Sequence, residues 1–163
     1  MREDDLAWLD RFLWEPGVVG PLQGHGWWDL GRWRRRWADN GLLGEDDGPL
    51  LAVRGADRLG FVAWSRVVTS NGSSCWRIGI ALLPEARGHG YGTRAQELLV
   101  RYLFAHTQMV RGEAVTEVAN AAERRSLEKA GFTQEGVLRS YAFRDGRWRD
   151  AVLYGVVRDD TSA

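Results

Sequence analysis

The sequence predicts an α+β fold, a mixed sheet flanked by helices, in a chain of 163 residues that has room for one core. Three observations lead there. Strand-like runs divided by turn residues succeed one another between Leu50 and Leu83, an amphipathic helical period covers Gly92 to His106, and a long hairpin pattern surrounds Asp145-Gly146. The apolar content is 44%, enough for a core that needs no disulfide or metal staple. Neither an internal repeat nor a linker interrupts the chain, and residues 1–163 read as one domain.

Leu6, Leu9 and Phe12 or Leu13 recur at helical spacing behind acidic residues that suit a helix N-terminus, giving a first helix over residues 4–13. Pro16, Gly17, Gly20, Pro21 and Gly24 mark a loop, and a second helix runs from Asp29 to Asn40-Gly41, with Trp33 and Trp37 on one face. Leu50 to Arg54 and Leu59 to Thr69 form a hairpin about Gly55-Ala56-Asp57. Ser70-Asn71-Gly72-Ser73 turns the chain into a third strand, Trp76 to Leu83, which Pro84 halts. In the central helix Ala95, Leu98, Leu99, Tyr102, Leu103 and His106 form the apolar stripe. A strand over Val110 to Val118 and a short helix from Asn120 to Ala130, closed by Gly131, lead to the last hairpin, Phe132 to Phe143 and Trp148 to Val157.

Charge and cysteine content narrow the function. The 22 basic residues balance the 22 acidic ones, so no net field favours a nucleic acid or an anionic membrane. Arg34-Arg35-Arg36 point in three directions on a helix and read as a solvated face. The single Cys75 excludes an internal disulfide, no Cys/His set has zinc-ligand spacing, and the N-terminus lacks a signal-peptide profile. The expected setting is the cytoplasm, with no metal. No His stands near Cys75 in sequence to activate it, so it reads as a buried inert thiol.

The chemistry centres on Arg87-Gly88-His89-Gly90-Tyr91-Gly92-Thr93, between a strand and the central helix. Alternating glycines aim successive main-chain N–H groups outward, and the helix start adds its unpaired N–H groups and positive dipole end. The segment is either a tight turn or a diphosphate cradle. A dinucleotide fingerprint fails, because the third glycine position falls on Thr93, and a Gly-Lys-Ser/Thr phosphate loop fails for want of lysine.

Arg87-Gly-His-Gly-Tyr-Gly92 resembles the pyrophosphate-binding motif of the GNAT superfamily of acyl-CoA-dependent N-acyltransferases. Ile78-Gly-Ile-Ala-Leu-Leu-Pro84 before it and Asn120 to Phe132 after it stand in that family's order and spacing. Glu135-Gly-Val-Leu-Arg139 and Asp145 to Asp150 look like the subgroup that acetylates N-terminal amines of ribosomal proteins. The resemblance covers about residues 50–157. It implies a three-layer α/β/α arrangement in which a mostly antiparallel sheet contains a splayed parallel strand pair. It also implies acetyl-CoA as co-substrate. Main-chain groups of Ile80, Ala81 and Leu82 would pair with the pantetheine amides, N–H groups of Gly88, His89, Gly90, Tyr91, Gly92 and Thr93 would take the pyrophosphate beside Arg87, and Asn120 would turn toward the pantetheine arm. Relatives usually open with a strand before the first helix, whereas Met1 sits almost on that helix, so either the sheet lacks an edge strand or the start lies upstream.

Catalytic residues are less marked. Ribosomal-protein-type relatives often carry Ser at the position of Glu123 and a carboxylate near Ala142, and others a Tyr near Leu127; this chain has none of these. Glu113 matches in type the Glu that several members use to deprotonate the amine through water, and is alternatively a solvated strand carboxylate near Arg111. Glu123 and Tyr141 are further candidates, with Glu117 in reserve; Asn120 and Glu123 also have capping-box spacing. His25, His89 and His106 read as loop, turn and helix-surface residues. Trp27, Trp28, Trp33 and Trp37 are either core or one wall of an acceptor pocket.

Direct transfer requires a neutral amine. At pH 7 an α-amino group is about 14% neutral and a lysine amine about 0.04%, a gap of roughly 3.5 kcal/mol. A chain without a marked strong base is matched to the easier amine. The expected activity is acetyl transfer from acetyl-CoA to a primary amine, with a protein or peptide N-terminal amine favoured. A small-molecule amine acetyltransferase and a non-catalytic CoA-binding module are the alternatives. A monomer or homodimer without nucleic-acid or membrane partners completes the expectation.

Overall fold

The computed structural model describes residues 1–22, 29 and 31–161. Asp5–Trp14 form α1 and Arg32–Asn40 form α2. The second helix starts three residues later than its sequence signal. The Asp29 carboxylate accepts the Gly31 N–H at 3.0 Å, which makes Asp29 part of the turn before the helix. Gly41 ends α2 in the left-handed region at φ +64°, where a side chain would be strained.

Alternation of apolar and polar residues builds two antiparallel halves. β1 (Asp47–Arg54) pairs with β2 (Asp57–Ser70), and β2 with β3 (Ser73–Leu82). β1 begins before Leu50 because Asp47, Gly48 and Pro49 find partners in Ser65, Trp64 and Ala63. Beyond β3 come α3 (Tyr91–His106), β4 (Arg111–Glu117), α4 (Ala121–Lys129), β5 (Thr133–Arg144) and β6 (Arg147–Val157). β4 is antiparallel to β6 along its full length, and β6 to β5. The sheet order is β1-β2-β3-β4-β6-β5. The halves meet only where β3 and β4 run parallel, and there only Trp76 pairs with Gly112 and Arg77 with Glu113. This is the expected splay. Among the described residues no strand precedes α1.

Each face of the sheet has its own helices. Trp76, Ile78, Ala114, Val152, Tyr154 and Val156 pack with Leu99, Val100, Leu103 and Phe104 of α3 and Leu127 of α4. On the opposite face Leu6, Leu9, Trp33 and Leu42 enclose Leu51 and Phe61, while Phe12, Val18 and Leu83 cover Ala81. Strand alternation therefore puts Arg77, Gly79, Glu113 and Glu117 on the α1/α2 face. Trp33 and Trp37 belong to this second core; Trp27, Trp28 and His25 lie outside the described residues. Arg34, Arg35 and Arg36 pair with Asp10, Asp29 and Asp47, three acids in three directions. No described helix is long and apolar enough to cross a membrane.

The central helix corrects its sequence-derived stripe. Leu98 and Tyr102 are about half exposed (49% and 48%), whereas Gln96, Leu99, Val100, Leu103 and Phe104 face inward. The stripe is rotated because a polar residue, Gln96, belongs to the buried face, so hydrophobicity alone selects the neighbouring one. Leu99→Ala should therefore cost about 2–5 kcal/mol in urea unfolding, and Leu98→Ala less than about 1 kcal/mol.

Candidate active site

Where β3 and β4 part, a groove of about 500 Å³ opens between them. Its floor includes Ile78, Gly79 and Ile80 of β3 and Ala114, Val115 and Thr116 of β4, one end is the Gly88 to Thr93 turn, and Asn120, Glu123 and Ser126 form the α4 wall. Main-chain groups on the β3 edge that faced a ladder at Arg77 have lost that partner strand by Ile80. Such groups suit amide pairing of the kind an added strand makes.

The glycine turn is built for close approach. Gly88 and Gly90 have φ of +77° and +78°, a conformation L side chains rarely adopt, and Gly90 is the N-cap of α3. Among the described residues no side chain caps this helix, so its first N–H groups can meet an anion. Arg87 also lines the groove, but its guanidinium donates to the Leu82 carbonyl at 3.0 Å and the Val18 carbonyl at 2.8 Å. It ties the loop after α1 to the turn as well as adding charge. Of the residues expected to bind CoA, Ile80, Leu82, Arg87, Gly88, Gly90, Gly92, Thr93 and Asn120 line the groove. Ala81 packs toward α1, and the exposed His89 ring stacks on Tyr91 at 5.8 Å beside a separate hollow lined by Arg54 and Glu85. These three are not among the residues that line the groove.

Glu113 lies at the vertex of the splay. It is 6% exposed and accepts from Arg77 Nε at 2.9 Å and Nη2 at 2.6 Å; Arg111 stands 3.8 Å away. It is thus a buried, ion-paired carboxylate and not a solvated one. Arg77 Nη1 also donates to the Tyr141 hydroxyl at 3.5 Å, so Glu113 and Tyr141 are brought together through an arginine that the sequence did not single out. Glu117 is similarly buried against Arg144, at 2.8 and 2.7 Å. Beside this cluster the buried Cys75 thiol is pushed up to about 11, by burial first and then by Glu113. At neutral pH it is a thiol and a poor nucleophile.

Glu123 occupies the other side of the gap. Asn120 Oδ1 accepts the Glu123 N–H at 3.2 Å, half of a capping box, but the Asn120 N–H goes to the Glu117 carbonyl. The other half is absent because the Glu123 carboxylate reaches into α3, where Gln96 Nε2 donates to Oε1. Burial raises its pKa to about 7, against the opposite pull of the Gln96 bond. Asn120 Nδ2 donates to Thr116 Oγ1 at 3.0 Å, holding the end of α4 to β4. Gln96, Ser126 and Lys129 escaped sequence reasoning; the only signal was a glutamine on the inward face of the central helix.

The family model described as acetyltransferase (GNAT) domain matches residues 4–133. The N-acetyltransferase YoaA of Bacillus subtilis is 35% identical over 81 residues, 50% of this chain and 46% of that protein. The chain thus spans about half the length of the curated relatives it matches. Mycobacterium smegmatis RimJ in complex with CoA-disulfide superposes with a TM-score of 0.81 at 23% identity, covering 100% of this chain and 82% of RimJ. Spermidine N-acetyltransferase from Vibrio cholerae, in complex with CoA and spermine, gives 0.82 at 15% identity, covering 98% and 94%. At these identities the structural likeness is one of fold.

Two outcomes follow. Gly90→Ala should lose roughly 1–2 kcal/mol of stability from the left-handed backbone, with weakened CoA uptake in calorimetry. Folded protein keeps the Glu123 proton up to about pH 7, whereas unfolded chain releases it near 4.5. This group's contribution is therefore complete below pH 4.5 and lost as pH rises to about 7. Urea unfolding at pH 4.5 and pH 7.5 should show a smaller loss for Glu123→Gln than for the parent.

Proposed function

Because this chain belongs to the acetyltransferase (GNAT) family, we propose that it moves the acetyl group of acetyl-CoA onto a primary amine by direct attack in a ternary complex. The observation that carries this reading is the groove between β3 and β4, open along a strand edge and ending at the uncapped start of α3. Its parts match the donor: strand-edge amides for pantetheine, and Gly88, Gly90 and the α3 N-terminus for pyrophosphate. The adjacent Arg87 adds positive charge, and Asn120 borders the pantetheine arm.

The acceptor enters from the α1/α2 face, the side to which Glu113 and Tyr141 belong. Glu113 takes the amine proton through a water, and the Tyr141 hydroxyl, bonded to Arg77, orients the amine. A main-chain N–H on the free β3 edge meets the developing oxyanion. A chain without a marked strong base is matched to an amine with a substantial neutral fraction at pH 7. An N-terminal α-amine of a protein or peptide is the class that fits. The proposed setting is the cytoplasm, where a buried free thiol stays reduced.

Thiol release from acetyl-CoA over a panel of N-terminal peptides, polyamines and small amines tests this. Peptide α-amines should give the highest kcat/KM. Glu113→Gln should lower kcat about 100-fold or more, with CoA affinity nearly unchanged. CoA uptake by calorimetry without release on any amine would overturn the enzymatic reading in favour of a binding module.

A further inference from the structure

The hydrogen bonds of Arg87 point away from the phosphate turn in which it stands. Nε donates to the Leu82 carbonyl at 3.0 Å and Nη2 to the Val18 carbonyl at 2.8 Å. These nitrogens share one edge of the guanidinium plane, so a single rigid fork joins the end of β3 to the loop after α1. Val18 is 2% exposed and packs with Phe12, Leu83 and Ala86. Among the described residues no main-chain N–H donates to its carbonyl. On its other side the loop hangs from α1, where the N–H groups of Val18 and Val19 both go to the Glu15 carbonyl at 2.9 Å. Gly20 comes next and packs on the guanidinium, since a β-carbon there would stand 3.4 Å from Nη1. Gly20, Pro21 and Leu22 then line the groove beside Arg87.

We propose that Arg87 is a positioning residue for the acceptor: its fork fixes Gly20, Pro21 and Leu22 as a wall along which a peptide acceptor lies beyond its reacting amine. The proposal rests on the acetyl-transfer reading above and deepens its acceptor side.

The donor asks little of this loop. Its phosphates meet main-chain N–H groups of the glycine turn and its amides meet the β3 edge, so both need only the backbone and a positive charge nearby. The loop arrives from the α1/α2 side, the side from which the acceptor enters. Its tether at Leu82 lies five residues along β3 from Arg77, the partner of Glu113, a span of about 16 Å in a strand. A small amine held at Glu113 does not reach that far, whereas an extended peptide of about six residues does. Gly20, Pro21 and Leu22 carry no charge, so the wall favours a long acceptor by contact with its chain rather than by the sign of its side chains.

Lysine separates the two duties of Arg87, because it keeps the charge but has no planar fork to span two carbonyls. The test uses the full chain and its Arg87→Lys and Arg87→Met variants, with CoA, acetyl-CoA, and peptides of two and six residues that begin with the same residue. In the parent the longer peptide should have a kcat/KM about tenfold above the shorter one, and Arg87→Lys should abolish that advantage, chiefly through KM. The same variant should change CoA affinity in calorimetry, and kcat/KM for the short peptide, by less than about threefold. Arg87→Met should lose the long-peptide advantage equally and bind CoA more weakly as well. An advantage retained in Arg87→Lys, or absent from the parent, would overturn the proposal and leave acetyl transfer intact. So would an equal loss on both peptides, or failure of the Lys variant to fold, since the fork would then serve stability alone. Thiol release by the parent on no amine would overturn both readings.

Discussion

The two-residue length of the parallel ladder between β3 and β4 is the constraint on which the remaining architecture depends. β3 stays with β2 through Leu82, and β4 stays with β6 through Glu117. Each strand satisfies its outer edge, and twist carries the two halves apart. The inner edges then present main-chain amides to a gap, a costly arrangement unless water or a ligand pairs with them. A groove made of backbone holds a ligand through groups that every residue type possesses, which leaves side chains free for chemistry at its ends.

Charge is distributed around that gap with the same economy. The carboxylates at and beyond the vertex are buried, and each has an arginine close enough to offset the cost of desolvation. Arginine suits this role because its planar fork can reach a carboxylate and a second acceptor together, as Arg77 does with Glu113 and Tyr141. On the helical side the Glu123 carboxyl meets a neutral amide in place of a cation, and burial raises its pKa to about 7 against the pull of that amide.

Much of the site was legible in one dimension. The Gly88 to Gly92 pattern signals left-handed backbone at two positions and a helix start after them, and the structure has φ above +70° at Gly88 and Gly90. The hairpins were legible because Asp145-Gly146 and Asn71-Gly72 state their turn chemistry locally. Less legible were partnerships between residues far apart in the chain. Nothing near Glu113 in sequence announces Arg77, 36 positions earlier. Likewise the Asn120 and Glu123 spacing announces a reciprocal cap, which Gln96, 27 positions from Glu123, competes away.

The sequence by itself determined the element order, the turns and the glycine-rich helix start, because each depends on φ/ψ preferences and periodicities within a few residues. Tertiary structure alone decided where the parallel ladder stops, which face of the central helix turns inward, and which carboxylates receive a cation or an amide. Those outcomes depend on the competition among distant groups for the same buried partner, and that competition has no local signature.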